Sequence, residues 1–120
     1  MTKRILVVED NELNLKLFCD LLRAHGHETR AVSDGREVLK QASDFQPDLI
    51  IMDIHLPHVS GLDLIIALKA DAALATVPIM AVTAYAGKGD EERIREAGAE
   101  AYVSKPISVM KFIDVVNSLI

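Results

Sequence analysis

The stretch DLIIMD at residues 48–53, which continues as IHLPHVSG to residue 61, decides the fold. A run of four apolar residues is typical of a strand buried on both faces of a parallel sheet. The loop that follows contains Pro57 and Gly61, two residue types that favour turns. Asp53 is therefore predicted at the carboxyl end of a central strand.

Five apolar or β-branched runs in the chain predict strands, and helical patterns separate them. The runs are Arg4–Val8, Glu28–Val32, Asp48–Met52, Pro78–Val82 and Ala101–Val103. The helices are expected from about residue 12 to 24, 34 to 45, 61 to 70, 90 to 97 and 108 onward. Strand–helix alternation predicts a doubly wound α/β fold, a parallel sheet with helices on both faces.

The length and composition of the chain indicate a soluble single-domain protein and argue against membrane and nucleic-acid-binding classes. A chain of 120 residues, 50% hydrophobic and 26% charged, predicts one soluble domain. No apolar run approaches the ~20 residues that a membrane span requires, so no membrane insertion is expected. A net charge of −5 without a basic cluster argues against a nucleic-acid partner. The single cysteine, Cys19, fits a reducing cytoplasm.

Polar residues follow four of the five predicted strands. They are Glu9 and Asp10, then Asp53, then Thr83, and finally Lys105. Because sites in such sheets form at the carboxyl ends of the strands, these side chains are expected in one crevice. Carboxylates crowded together favour a divalent cation, and an all-oxygen ligand set favours Mg²⁺. Asp53 could then attack a phosphoryl group whose oxygens contact Lys105 and Thr83.

Each of these residues also has a simpler interpretation. Asp10 or Asn11 could cap the first helix, and Asp53 could be a turn residue. Thr83 is an ordinary strand residue and Lys105 an ordinary surface lysine, before a Pro that could form a cis turn. The coincidence at four strand ends favours a site.

Other sites in this fold class fit less well. A flavin phosphate would be repelled by the acidic first loop, EDNELN at residues 9–14. An aspartyl-phosphate phosphatase requires a second Asp two residues after the nucleophile, where this chain has His55, and it requires a cap domain. The glycine-rich motifs of dinucleotide and P-loop sites are absent from the sequence.

The polar residues also resemble those of a known family. Glu9-Asp10, Asp53, Thr83-Ala84, Tyr102 and Lys105-Pro106 match, in order and spacing, the receiver domain of bacterial two-component response regulators. The resemblance runs from ILVVEDN to AYVSKPI and implies a flavodoxin-like (βα)5 fold with strand order 2-1-3-4-5. It implies a single receiver domain over residues 1–120, without an output domain.

The resemblance implies roles for the metal and the phosphoryl group. Asp53 would accept phosphoryl from a histidine kinase/phosphatase or a histidine phosphotransferase, in a step that depends on Mg²⁺. Asp10, Asp53 and the backbone carbonyl of His55 would bind the metal, while Glu9 would hold a metal-bound water. Lys105 would contact the phosphate.

Switch and output roles are implied as well. Thr83 would contact the phosphate, and Tyr102 would change rotamer with Thr83. Tyr85 is predicted to slow attack by water on the phosphoryl group. The helix from about residue 90 to 97 has one large apolar residue, Ile94, and is either the moving part or an ordinary charged surface helix.

The resemblance implies a signalling protein rather than an enzyme with its own substrate. A closer likeness is to single-domain members that control cell division and polarity through a downstream protein receptor. The alternatives are a receiver-like binding module that works without phosphorylation and a small aspartyl-phosphate phosphatase. The intact set of Asp10, Asp53, Thr83 and Lys105 argues against a silent module.

The first helix carries more leucines than one core stripe needs. Leu13, Leu17 and Leu21 recur every four residues and are predicted to face the core. A second apolar set either adds core burial or forms a docking face for the kinase beside the loop after the fifth strand. That set is Leu15, Phe18 and Leu22, with Pro106 and Ile107 in the loop.

Overall fold

The computed structural model describes residues 2–84 and 88–120, and within them five strands form one parallel sheet. The strands are β1 (Arg4–Val8), β2 (Glu28–Val32), β3 (Leu49–Asp53), β4 (Ile79–Thr83) and β5 (Ala101–Ser104). Their order across the sheet is β2-β1-β3-β4-β5, which confirms the predicted doubly wound fold. The third and fourth strands begin and end one residue later than predicted.

Five α-helices connect or follow the strands. They are α1 (Glu12–Ala24), α2 (Val38–Phe45), α3 (Gly61–Ala70), α4 (Lys88–Ala97) and α5 (Val109–Leu119). A short 3₁₀ helix, Gly35–Glu37, precedes α2 and takes up the residues predicted as its first turn. None of the helices in the described ranges has the length and apolarity that a bilayer crossing requires.

Local side-chain caps explain where α1, α3 and α5 begin. The carboxamide of Asn11 accepts a hydrogen bond from the backbone N–H of Asn14 at 3.0 Å, so Asn11 and not Asp10 caps α1. Ser60 caps α3 and Ser108 caps α5 in the same way. Asp10 is therefore not engaged in capping, and its exposed carboxylate lies next to the crevice.

The sheet divides the core into two layers. Helices α1 and α5 cover one face, where the rings of Phe18 and Phe112 stack with centroids 5.1 Å apart. Helices α2, α3 and α4 cover the other face. Every residue of β3 and β4 is buried, as expected for the two strands that lie between β1 and β5.

The prediction for the core face of α1 was wrong for Leu13 and Leu17, although Leu21 does pack against the core. Leu13 is 80% exposed and Leu17 is 41% exposed, whereas Phe18 and Leu22 are almost completely buried. A spacing of four residues advances by about 40° per step around a helix of 3.6 residues per turn, so a strict four-residue repeat leaves the core face. The residues that face the sheet follow a mixed three–four spacing: Leu15, Phe18, Cys19 and Leu22.

Helix α4 is anchored as the sequence predicted. Ile94 is 2% exposed and is the residue by which α4 enters the core. Arg95 pairs with Glu91 one turn earlier, at 3.3 Å between Nε and Oε1. The prediction that concerns Tyr85 lies outside the described residues.

Candidate functional site

The polar residues predicted at the strand ends come together at one edge of the sheet. Glu9 follows β1, and its backbone N–H donates to the Val32 carbonyl at 3.1 Å. Asp53 ends β3 and Thr83 ends β4. Lys105 follows β5, and its backbone N–H donates to the Thr83 carbonyl at 2.7 Å. Main-chain pairing therefore brings these residues to one edge of the sheet.

Three carboxylates form a compact group. Glu9, Asp10 and Asp53 each offer an oxygen atom within 4.8 Å of the others. Glu9 is 0% exposed and Asp53 is 2% exposed, while Asp10 faces solvent. Negative charges this close repel one another strongly, and the repulsion is greater here because Glu9 and Asp53 are buried away from water. A positive charge nearby would stabilise the group.

Lys105 supplies part of that charge. Its ammonium nitrogen lies 3.1 Å from Oε1 of Glu9 and 3.3 Å from Oδ2 of Asp53. The side chain is 23% exposed, so Lys105 joins the buried carboxylates to the surface. The peptide bond to Pro106, predicted as a possible cis turn, is cis.

One oxygen of Glu9 has no donor. Asn14 donates its side-chain N–H to Oε1 of Glu9 at 3.2 Å, and Lys105 donates to the same oxygen. Oε2 is buried and has no hydrogen-bond partner among the residues that the structure describes. A buried carboxylate oxygen without a donor is costly, so this atom favours a proton, a bound water or a cation beside it.

The pKa values of the group follow from this crowding. Burial, a hydrogen bond to Asp53 and the negative charge of Asp53 together raise the pKa of Glu9 to about 7, although hydrogen bonds from Lys105 and Asn14 lower it. Burial also opposes the charge on Asp53, but hydrogen bonds from Glu9, the backbone N–H of His55 and Lys105 outweigh it and lower the pKa of Asp53. In Lys105, burial is outweighed by the two carboxylates, which raise its pKa.

These residues fit a hard divalent cation. The oxygen ligands are carboxylates, one buried oxygen lacks a donor, and a crevice of about 650 Å³ adjoins Asp10 and His55. Mg²⁺ takes such oxygen ligands and keeps several of its waters, for which this crevice leaves room. The predicted contribution of the His55 carbonyl stays a prediction.

The loop after β3 is held close to Asp53. The backbone N–H of His55 donates to Oδ1 of Asp53 at 2.9 Å, and the N–H of Gly61 donates to the Ile54 carbonyl at 3.1 Å. A Cβ atom at Gly61 would lie 2.5 Å from the carbonyl oxygen of Asp53. Only glycine allows this approach of α3 to the strand end.

The two predicted switch residues lie on neighbouring strands. Thr83 is 1% exposed, and its hydroxyl lies 3.4 Å from Nε2 of His55. Tyr102 is partly buried and pairs with Ala81, two positions before Thr83 on β4. The guanidinium of Arg95 lies 5.8 Å from the centre of the Tyr102 ring, which links α4 to β5.

The predicted docking residues are not all available to a partner. Phe18 and Leu22 are buried against the sheet, and Leu15 packs beside them, because these three residues form the core side of α1. Pro106 is exposed and Ile107 is partly buried. A groove of about 520 Å³ does run along this side, but Leu17 and Asn14 line it from α1, together with Lys105, Pro106 and Ile107.

Sequence reasoning missed Asn14 and misplaced Leu17. A signal for Asn14 was present, since it is the third residue of α1 after the cap Asn11, and side chains at that position reach back past the helix start. The exposure of Leu17 could also have been predicted. The 3.6-residue periodicity that places Phe18 and Leu22 in the core turns Leu17 away from it.

Comparisons with known proteins agree with this geometry. A sequence model described as the response regulator receiver domain matches residues 5–117. The chain is 57% identical over 118 residues to the polar-differentiation response regulator DivK of Brucella ovis. That alignment covers 98% of this chain and 96% of the relative.

Solved structures show the same fold. A putative response regulator from Chloroflexus aurantiacus J-10-fl superposes with a TM-score of 0.94 at 28% identity, over 99% of this chain and 98% of that one. The receiver domain of the sensor histidine kinase PA1611 from Pseudomonas aeruginosa PAO1 superposes with a TM-score of 0.90 at 31% identity, over the same shares. A magnesium ion is coordinated in the active site cleft of that receiver domain.

Proposed function

The chain belongs to the response regulator receiver family, and on that premise we propose that it accepts a phosphoryl group on Asp53. The observation that carries the proposal is the group of Glu9, Asp10 and Asp53, with Lys105 between two of the carboxylates. The donor would be the phosphohistidine of a histidine kinase or of a histidine phosphotransferase. A kinase with phosphatase activity would also remove the group.

We assign the metal site to four groups: the carboxylates of Asp10 and Asp53 and the backbone carbonyl of His55 as ligands, and the carboxylate of Glu9, which would hold a metal-bound water. A bound Mg²⁺ would supply positive charge against the carboxylates and against the phosphoryl oxygens. The oxygen of Glu9 that lacks a donor supports this assignment, since a metal-bound water could donate to it.

The protein groups have separate tasks in the transfer. A carboxylate oxygen of Asp53 attacks phosphorus, the phosphorus–nitrogen bond of the donor breaks, and the imidazole keeps the electron pair. The low pKa of Asp53 keeps this oxygen ionised at neutral pH. Lys105 and the hydroxyl of Thr83 are placed to contact the transferred oxygens, where charge develops.

The product would act through binding rather than through chemistry of its own. Thr83 moves toward the new phosphoryl group, Tyr102 follows, and the surface of α4 and β5 changes for a downstream protein receptor. We therefore propose a signalling protein, with no reaction beyond its own phosphorylation and dephosphorylation. The 120 residues would form one receiver domain.

The similarity to DivK proteins supports a role in cell division or polarity, in the cytoplasm. Identity of 57% across nearly the whole length of both chains supports a shared signalling context. The groove beside Leu17 is proposed as the docking surface for the phosphodonor protein, in place of the surface predicted from Phe18 and Leu22.

Intact mass spectrometry tests the phosphoacceptor directly. The protein is incubated with phosphoramidate, with and without Mg²⁺, beside Asp53→Asn and the control Asp63→Asn, which changes an exposed aspartate of α3. The expected result is one added phosphoryl group in the wild-type protein and in Asp63→Asn, only with Mg²⁺. Folded wild-type protein that gains no group would favour a binding module that works without phosphorylation.

A further inference from the structure

Asn14 joins the buried carboxylates to the groove on the surface. Its backbone N–H donates to the cap Asn11 at 3.0 Å, which fixes the residue in the first turn of α1. Its side-chain N–H donates to Oε1 of Glu9 at 3.2 Å. The same side chain lines the groove that Leu17 and Lys105 also line.

Two donors hold a single oxygen of Glu9. Asn14 and Lys105 both donate to Oε1, at 3.2 Å and 3.1 Å. This arrangement fixes the rotation of the carboxylate and leaves Oε2 buried and without a donor among the described residues. A carboxylate that two donors orient in this way resembles the supporting groups around known metal sites, which hydrogen bonds also fix in place.

Lys105 cannot be the only support. Its ammonium group also lies 3.3 Å from Asp53, and under the proposed function the same group contacts the transferred phosphoryl oxygens. When Lys105 turns to that task, the carboxylate of Glu9 loses one of its two donors. Asn14 has no other side-chain partner among the described residues, so it keeps its contact.

We propose that Asn14 is a positioning residue that holds the carboxylate of Glu9 in place for the magnesium ion. It donates one hydrogen bond to Oε1 and thereby keeps the carboxylate beside Asp10 and Asp53, whether or not Lys105 is engaged elsewhere. The inference rests on the proposed function, because it assumes that the crevice binds Mg²⁺. Loss of such a supporting group typically weakens metal binding about 10- to 100-fold.

The test is a titration with Mg²⁺ alone, followed by the chemical shifts of backbone amides near the crevice. Asn14→Leu removes the donor and keeps the volume, and Asn14→Ala serves as a second variant if leucine disturbs the groove. The matched control is Lys16→Leu, which removes the ammonium group 2.6 Å from Asp20 on the exposed side of the same helix. No partner protein is present, so a role of Asn14 in docking does not affect the result.

The expected dissociation constant for Mg²⁺ is about ten-fold higher in Asn14→Leu and Asn14→Ala than in the wild-type protein, and unchanged in Lys16→Leu. At saturating Mg²⁺, phosphorylation of the Asn14 variants by phosphoramidate recovers most of the wild-type rate. Equal Mg²⁺ affinity in the folded wild-type protein and the Asn14 variants overturns the inference and leaves the proposed function standing. A wild-type protein that binds no Mg²⁺ overturns both.

Discussion

At the scale of single residues, Gly61 shows how closely the helix after β3 approaches the phosphoacceptor strand. In Gly61→Ala the new Cβ would meet the Asp53 carbonyl at 2.5 Å and the Ile54 Cα at 2.6 Å. Because these are backbone atoms, the loop must shift. We expect a loss of about 1–3 kcal/mol in the free energy of unfolding and weaker Mg²⁺ binding.

Gly89→Ala is the control for this change, since no atom lies within 4 Å of the position where its Cβ would be built. It should leave the free energy of unfolding unchanged or raise it slightly, because alanine favours helix. Urea unfolding with and without Mg²⁺ compares the two variants. Wild-type stability and Mg²⁺ binding in Gly61→Ala would contradict the close packing.

The pKa of Glu9 predicts how the metal-free protein responds to pH. Its folded pKa is about 7 against an ordinary value of 4.5, so between these values the folded state holds more protons than the unfolded state. Its contribution to stability is therefore complete below about pH 4.5 and is lost as the pH rises through 7. We expect the free energy of unfolding to fall by about 1–3 kcal/mol across that range.

Glu9→Gln removes this titrating group and should flatten the decline between pH 5 and 7.5. Unfolding by urea in the presence of a chelator measures both proteins. The opposite pKa shift of Asp53 acts at lower pH, since a lowered carboxyl pKa adds stability above its ordinary value of 3.8 and loses it in acid. If the free energy of unfolding falls equally with pH in the wild-type protein and in Glu9→Gln, a group other than Glu9 causes the pH dependence.

The residues of the site differ in how well the sequence predicted them. Glu9, Asp53, Thr83 and Lys105 were predictable because strand ends in a parallel sheet share one edge. Asn14 was not, since its role depends on where a side chain points after the first turn of α1. The backbone approach at Gly61 is likewise a property of the packed structure.

At the scale of secondary-structure elements, α1 carries the clearest correction. Its bounds, Glu12–Ala24, were predicted to the residue because Asn11 begins it and Gly26, with φ of 85°, follows its end. The predicted core face was wrong for Leu13 and Leu17, because a repeat of leucines every four residues was taken for the core stripe, and only Leu21 of that repeat packs against the core. Element bounds depend on local caps, whereas the buried face depends on the exact period of the helix.

Alanine substitutions distinguish the two faces of α1. Leu22→Ala removes a fully buried side chain and should cost about 2–5 kcal/mol in the free energy of unfolding. Leu13→Ala removes a side chain that is 80% exposed and should change it by less than about 0.5 kcal/mol. Urea unfolding measures both variants. Similar losses in the two would restore the four-residue stripe as the core face.

The exposed side of α1 is also where the phosphodonor protein is proposed to bind. Leu17→Asp places a charge in the groove beside Pro106 and Ile107, so transfer from a phosphorylated kinase should fall at least about ten-fold. Phosphorylation by phosphoramidate should stay within about two-fold of wild type, because a small donor does not use the groove.

Ile66→Asp is the matched control, because Ile66 is 54% exposed on α3, which lies on the opposite face of the sheet from α1. Both activities should be retained in that variant. Gel assays of radiolabel transfer compare the proteins. Normal transfer from the kinase to Leu17→Asp would place the docking surface elsewhere.

At the scale of the whole molecule, the fold explains why Glu9, Asp10 and Asp53 lie close together, although their mutual repulsion destabilises the metal-free protein. The strand order β2-β1-β3-β4-β5 puts β1 and β3 side by side, so the acidic residues after both strands meet. Strand–helix alternation predicted the parallel sheet, and the family resemblance supplied the order. Neither predicted which oxygen of Glu9 would lack a donor, because that depends on side-chain geometry.

The central claim is that Asp53 carries the phosphoryl group, and chemical trapping tests it most directly. The protein is phosphorylated with phosphoramidate and Mg²⁺, treated with borohydride, which reduces an aspartyl phosphate to homoserine, and digested for peptide sequencing by mass spectrometry. The account predicts homoserine at position 53 and unchanged aspartates at positions 10, 48 and 63. A phosphoryl group found on a histidine instead, or homoserine at any other position, would contradict it.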